Sequence, residues 1–109
     1  MLIYEITAIV SAELIEIYEK YMQEAHIPDL LETGYFSDAI FSRSTFGRYR
    51  IQYQAHSQES LSEYFKNDAE RLRADFYEHF PNGITLTREN WEVLQSWKKS
   101  NQDSDSVMG

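Results

Sequence analysis

The sequence predicts an α+β domain whose elements run strand, helix, strand, strand, helix, strand. Three observations predict it. Arg48 to His56 alternates Tyr49, Ile51, Tyr53 and Ala55 with Arg48, Arg50, Gln52, Gln54 and His56, the period of a half-buried strand. Two stretches of three-to-four apolar spacing, after residue 11 and after residue 57, mark amphipathic helices. A short glycine-containing link, Thr45-Phe46-Gly47, joins two strand-like runs into a central antiparallel hairpin. This order is the split βαβ arrangement of the ferredoxin-like fold, a βαββαβ sandwich with a four-stranded antiparallel sheet.

Each element has its own signal. Leu2 to Val10 places Leu2, Tyr4, Ile6, Ala8 and Val10 on one face and a mixed set on the other. Ser11 is a candidate N-cap with Glu13 in the first turn, and Leu14, Ile17, Tyr18, Tyr21, Met22 and Ala25 follow as an apolar stripe. Glu16 and Lys20, four apart on the wet side, add ~0.3–0.5 kcal/mol. Pro28 disfavours helical geometry at Ile27 and suits a first helical position, so a bend at His26 and a short helix over Asp29 to Thr33, capped by Gly34, are expected. Tyr35 to Ser44 reads as a strand whose alternation breaks at Ala39-Ile40-Phe41, by a bulge or by burial on both faces. Ser57 caps a second long helix with the stripe Leu61, Tyr64, Phe65, Ala69, Leu72, Phe76 and Phe80 and a kink near Asn67-Asp68. Phe80-Pro81-Asn82-Gly83 ends it, and Ile84 to Leu94 supplies the last strand. Residues 1–97 form one domain; the polar composition of 98–109 predicts a disordered tail.

The fold places the strands in the order 4-1-3-2 with both helices on one face. Tyr4, Ile6, Ala8 and Val10 then face the helices with Tyr49, Ile51, Tyr53 and Ala55. Glu5, Thr7, Arg50, Gln52 and Gln54 face away, with Ile3, Ile9 and either Phe36 or Ile40. That second face is more apolar than a solvated surface requires, and a second copy of the sheet is the simplest cover.

Composition narrows the function. A chain of 109 residues with 42% hydrophobic content suits one domain. The absence of cysteine removes disulfides, thiolate nucleophiles and cysteine-ligated metals. A net charge of −8 spread along the chain makes nucleic acid a poor partner. No run of ~18 apolar residues predicts a membrane span, and the N-terminus lacks signal-peptide features, so a cytoplasmic protein is expected. There is no glycine-rich phosphate loop, nucleophile elbow or metal-spaced histidine pair, and neither a metal nor another cofactor is expected.

The opening Leu2 to Thr7, the Ala25-His26-Ile27-Pro28 corner, Thr33-Gly34-Tyr35-Phe36, Arg43, Gln52-Tyr53, Tyr64 and Leu72-Arg73 resemble an uncharacterised bacterial family of the dimeric α/β-barrel superfamily, over roughly residues 2 to 95. The resemblance implies two ferredoxin-like sheets packed face to face as a homodimer and, in many members, a cavity between sheet and helices. Characterised members of the superfamily include cofactor-independent monooxygenases of aromatic polyketides and quinols, haem-degrading enzymes, chlorite-dismutase-like haem proteins and muconolactone isomerases.

The candidate catalytic residues are His26, Glu5 and Gln52. His26 titrates near neutrality and can move a proton, or it can bond free helix carbonyls and fix the bend. Glu5, beside Arg50 or Gln52 on the central strands, can act as a base in a polar patch or fix dimer register. The candidate ligand-binding residues are Tyr4, Arg43, Arg50, Tyr53 and Tyr64. The tyrosines are core with hydroxyls that need partners, and Arg43 can clamp an anion or pair with the acidic surface. The resulting expectation is a homodimer, joined through the open sheet face, that binds a small organic molecule of aromatic or anionic character. The alternatives are a cofactor-independent monooxygenase or isomerase, with His26 and Gln52 acting together, and a structural or protein-binding dimer without a pocket.

Overall fold

A computed structural model describes residues 1–99. The elements are β1 (Leu2–Val10), α1 (Ile15–Tyr21), α2 (Ile27–Glu32), β2 (Phe36–Thr45), β3 (Arg48–Ala55), α3 (Gln58–Asn67), α4 (Ala69–His79) and β4 (Ile84–Glu92). The sheet is antiparallel in the order β2-β3-β1-β4, so the ferredoxin-like topology and its split βαβ units are as the sequence predicts. The register sets Tyr4 opposite Tyr53, Ile6 opposite Ile51 and Ala8 opposite Tyr49. All of these side chains are buried under the helices. Glu5 faces Gln52 and Thr7 faces Arg50 on the other side of the sheet. From residue 100 the expected tail lies outside the described residues. Among the described residues no helix is long and apolar enough to cross a membrane.

The first helical region departs from expectation. Ala12–Leu14 forms a tight 3₁₀ turn, which changes the phase of the following helix so that Ile15 is buried and Ile17 is 60% exposed. Ser11 does not cap; its hydroxyl donates to the Gly83 carbonyl at 2.9 Å. Instead of a bend at His26, Met22–His26 widens into a π turn, closed by the Ile27 N–H donating to the Met22 carbonyl. Ile27 stays helical at φ −66°, and α2 carries Pro28 in its first turn. The wider turn gives the proline ring room against the preceding carbonyls, which a regular α turn would not.

Elsewhere the local signals hold with small corrections. The Ser57 hydroxyl accepts from the Ser60 N–H at 3.0 Å, and α3 and α4 are separated at Asp68, where φ is −128°. Phe65, expected in the apolar stripe, is half-exposed. The irregularities of β2 fall at Phe36/Asp38 and Arg43/Thr45 and not within Ala39 to Phe41. They turn Phe36 inward to the core, while Ile40 faces outward opposite Gln52 at 59% exposure.

The β2–β3 turn is held against the end of β1. The Val10 N–H donates to the Gly47 carbonyl at 2.8 Å, and Gly47 has φ +83°. A Cβ there would lie 2.8 Å from the Val10 carbonyl oxygen, whereas a Cβ on Gly34, at φ +86°, meets nothing within 4 Å. Gly47→Ala combines left-handed strain with a backbone clash and should cost about 2–3 kcal/mol, against ~1 kcal/mol for Gly34→Ala. Urea denaturation of the two variants checks the order; equal losses would mean that the Val10 contact carries no weight.

Candidate functional site

Between the sheet and the helices lies a narrow cavity. Tyr4 and Ile6 come from β1, Tyr18 from α1, Met22 and His26 from the π turn, Tyr64 from α3, Arg73 from α4 and Arg88 from β4. The cavity volume is about 30 Å³. A cavity of that size takes about one or two waters, and an organic molecule fits only if lining side chains rotate. Inward strand alternation places Tyr4 here, and the pairing of Arg88 with Ile6 puts the arginine on the same face.

Residues in and beside the walls carry buried polar atoms that the described residues do not satisfy. Among the described residues, Tyr18 Oη, Tyr53 Oη, His26 Nδ1 and Arg73 Nε are buried without a hydrogen-bond partner. Arg73 Nη2 donates to the Tyr4 hydroxyl at 3.2 Å, and its guanidinium lies 5.6 Å from the Phe65 ring centroid. Burial pushes the Tyr18, Tyr53 and Tyr64 phenols well above their ordinary range, so they stay protonated. Desolvation lowers His26 to about 4, against the opposing pull of Asp29 and Asp75, so its ring is neutral at physiological pH. The ring sits among aromatic neighbours, 5.7 Å from Tyr21 and 5.5 Å from Phe76 between centroids.

Of the residues expected from sequence, the structure brings Tyr4, Tyr64 and His26 together at this cavity. Tyr53 stands beside it, its ring 6.0 Å from Tyr4. Glu5, Gln52 and Arg50 lie on the opposite face of the sheet, where Gln52 Nε2 donates to Glu5 Oε1 at 3.2 Å. A joint role for His26 and Gln52 is therefore corrected: the sheet separates them, because His26 sits in the π turn on the helix side while the alternation of β3 points Gln52 to the outer face. Glu5 and Arg50 form no ion pair among the described residues; Glu5, Thr7, Ser42, Ser44, Arg48 and Arg50 line a broad polar groove on that outer face. Arg43 also borders that outer groove and is absent from the inner cavity. It pairs with Glu19 at 2.8 Å, and the same carboxylate accepts a short hydrogen bond from the Tyr49 hydroxyl. Burial first, and then that bond, push the Tyr49 phenol up to about 12.

Sequence reasoning missed Arg88 and gave no role to Arg73. A signal for each exists. Ile84, Leu86 and Arg88 share one face of β4, so the arginine continues an apolar row inward. Arg73 adjoins Leu72 in the buried stripe of α4 and flanks the half-buried Phe65 across the helix break. Among the described residues no group of three or more histidine, aspartate or glutamate side chains is arranged to hold a metal ion.

With this geometry in hand, the relationships of the chain can be placed. A family model described as a domain of unknown function, DUF4286, matches residues 1–94. The chain belongs to that family. No curated protein matches it. The DUF4286 chain is similar in fold to a putative antibiotic biosynthesis monooxygenase from Deinococcus radiodurans, with a TM-score of 0.70 and 16% identity over 90% of this chain and 97% of the other. A putative antibiotic biosynthesis monooxygenase from Nitrosomonas europaea gives 0.63 at 11% identity, over 87% and 100%. An ethyl tert-butyl ether d (ethd) family protein from Bacillus halodurans gives 0.62 at 18%, over 85% and 100%. At these identities the likeness establishes the fold.

The neutral His26 ties stability to pH. Its folded pKa of about 4 lies below the ordinary 6.5, so the unfolded chain binds the extra proton between those values. The stabilisation is complete above pH 6.5 and is lost as pH falls toward 4, by roughly 2–3 kcal/mol. Chemical denaturation between pH 7.5 and 4 should show this loss, and His26→Gln should flatten that part of the profile. An unchanged profile in the variant would assign the acid sensitivity to other groups.

Proposed function

We propose that this DUF4286 protein is a cytoplasmic homodimer that binds a small organic molecule in the cavity between its sheet and helices. The observation that carries the reading is the set of buried polar atoms without partners, three of which, Tyr18 Oη, His26 Nδ1 and Arg73 Nε, belong to residues that line the cavity. A buried donor or acceptor left unsatisfied costs ~1–3 kcal/mol, and one ligand with two or three polar atoms relieves several such costs at once. Aromatic walls from Tyr4, Tyr18, Tyr64 and Phe76 suit a planar, apolar body. A second copy is the proposed cover for the outer face of the sheet, where Ile9, Ile40 and Trp91 are 45%, 59% and 48% exposed beside the Glu5–Gln52 hydrogen bond.

A second reading, a cofactor-independent monooxygenase or isomerase, is favoured by the neutral imidazole. His26 lines the same cavity as a neutral imidazole, and a neutral imidazole has one unprotonated ring nitrogen able to accept a proton from a phenol or an acidic C–H. In this reading Tyr4 and Tyr64 orient the substrate, and Gln52 and Glu5 remain with the dimer face.

Titration of ¹⁵N-labelled protein with 1-naphthol should shift amides around His26, Tyr64 and Arg73, and Leu86→Trp, which fills the cavity from β4, should abolish the shifts. Shifts confined to the outer sheet face would sink the cavity reading. Light scattering should give twice the chain mass, and Ile9→Glu with Ile40→Glu should release monomers; a monomeric parent protein would remove the dimer. For the catalytic reading, His26→Ala should lower turnover of a phenol or quinol by about 100-fold or more at an unchanged melting temperature. A parallel loss of stability would make the residue structural.

A further inference from the structure

Two arginines stand where the cavity meets solvent. Tyr4, Arg73 and Arg88 line the inner cavity and also a surface depression shared with Phe65, Glu89 and Asn90, so these three side chains form the partition between the two spaces. Neither guanidinium has a carboxylate partner among the ion pairs of the described residues, although the chain carries 18 acidic residues against 10 basic ones. Arg71, two residues from Arg73, pairs with Asp68 at 2.8 Å, and Arg43 pairs with Glu19. Among the described residues Arg48 and Arg50, on the outer face of the sheet, also lack an ion pair; Arg73 and Arg88 differ from them in standing together at the opening of an interior cavity, where one anion can meet both.

The neighbours of these cations are hydroxyls and rings. Arg73 spends one Nη on the Tyr4 hydroxyl and leaves its buried Nε unpartnered. Arg88 is solvent-exposed; partial desolvation works against its charge, but the Tyr77 and Tyr4 hydroxyls beside it outweigh that and raise its pKa above the ordinary value. The buried Arg73 Nε is a donor left without a partner, and an anion entering between the two forks satisfies it and gains charge-assisted hydrogen bonds from both arginines. The guanidinium fork matches a carboxylate in two parallel bonds, and a slot walled by aromatic rings accepts a planar group more readily than a tetrahedral one.

Resting on the cavity reading above, we propose that the ligand is an aromatic carboxylic acid, bound as its anion with the carboxylate between Arg73 and Arg88 and its ring directed inward toward Tyr64 and His26. The Tyr4 hydroxyl, held by Arg73, donates to the same carboxylate and sets its plane. Arg73 and Arg88 are thus the specificity-determining residues, and the neutral His26 end of the cavity accepts no second negative charge.

The test uses isothermal titration calorimetry with two probes of nearly equal shape, 1-naphthoate and the neutral 1-naphthamide, against the full-length protein at pH 7.5. The parent protein should bind 1-naphthoate about tenfold or more tightly than 1-naphthamide. Arg73→Gln with Arg88→Gln should bring the two probes to equal affinity by weakening 1-naphthoate alone, and Tyr4→Phe, which keeps the ring, should weaken it by a smaller factor. Equal affinities in the parent protein would overturn the anion assignment and leave the cavity as a neutral-ligand site. Undiminished 1-naphthoate binding in the double variant would place the anion elsewhere. Binding of neither probe would overturn the cavity reading itself. The comparison of probes in the parent protein needs no variant, so a double variant that fails to fold leaves the first result decisive.

Discussion

Hydroxyl groups buried in an aromatic core are the constraint on which this structure turns. The layer between sheet and helices is filled by Tyr4, Tyr18, Tyr49, Tyr53 and Tyr64 with Phe36, Phe76 and Phe80. A phenylalanine core of the same outline would close without further demands. Each tyrosine adds an oxygen that must find a partner or remain unsatisfied. Tyr49 finds Glu19, Tyr21 finds Asp75 at 2.6 Å and Tyr4 finds Arg73, all at the margin of the layer. Tyr18 and Tyr53, at the centre, find none among the described residues. The site is thus the region where the packing of rings and the satisfaction of their oxygens come into conflict.

The alternation of β1 and β3 divides the polar residues of the protein into two unrelated sets, and most of that division was legible in the sequence. A period of two leaves no choice: once Tyr53 is inward, Gln52 and Gln54 are outward, and Glu5 goes with them through the register with Tyr4 and Tyr53. The strand order, the caps at Ser57, the break at Asp68 and the inward faces all follow from such local rules. The site did not follow in full, since pairing His26 with Gln52 joined residues by chemical suitability across a sheet that the same alternation makes impassable.

What stayed illegible has physical reasons. Phe36 turns inward because a bulge at the start of β2 shifts its phase, and nothing in a single strand's residues fixes where an irregularity falls. Ile15 and Ile17 are equally apolar, and the 3₁₀ turn that chooses between them depends on Ser11 being held by the Gly83 backbone, 72 residues away. Arg88 reads as the polar end of an exposed strand until Arg73 and Tyr4 are seen to stand beside the same opening. Tertiary partners decide each of these positions.

The π turn at Met22–His26 has a consequence for how the family can change in length. A π turn carries one residue more than the α turn it replaces, so it is equivalent to a single-residue insertion absorbed within a continuous helix. Removing one residue between Gln23 and Ala25 would restore ordinary α winding and leave Ile27 and α2 in phase with α1, because the π turn already covers the rotation of the α turn it replaces. Only the side chains within the turn, His26 among them, would be re-aimed. In this protein the aim of the histidine is therefore a property of local winding, and a single-residue indel inside the turn can change what faces the cavity while α1 and α2 keep their places.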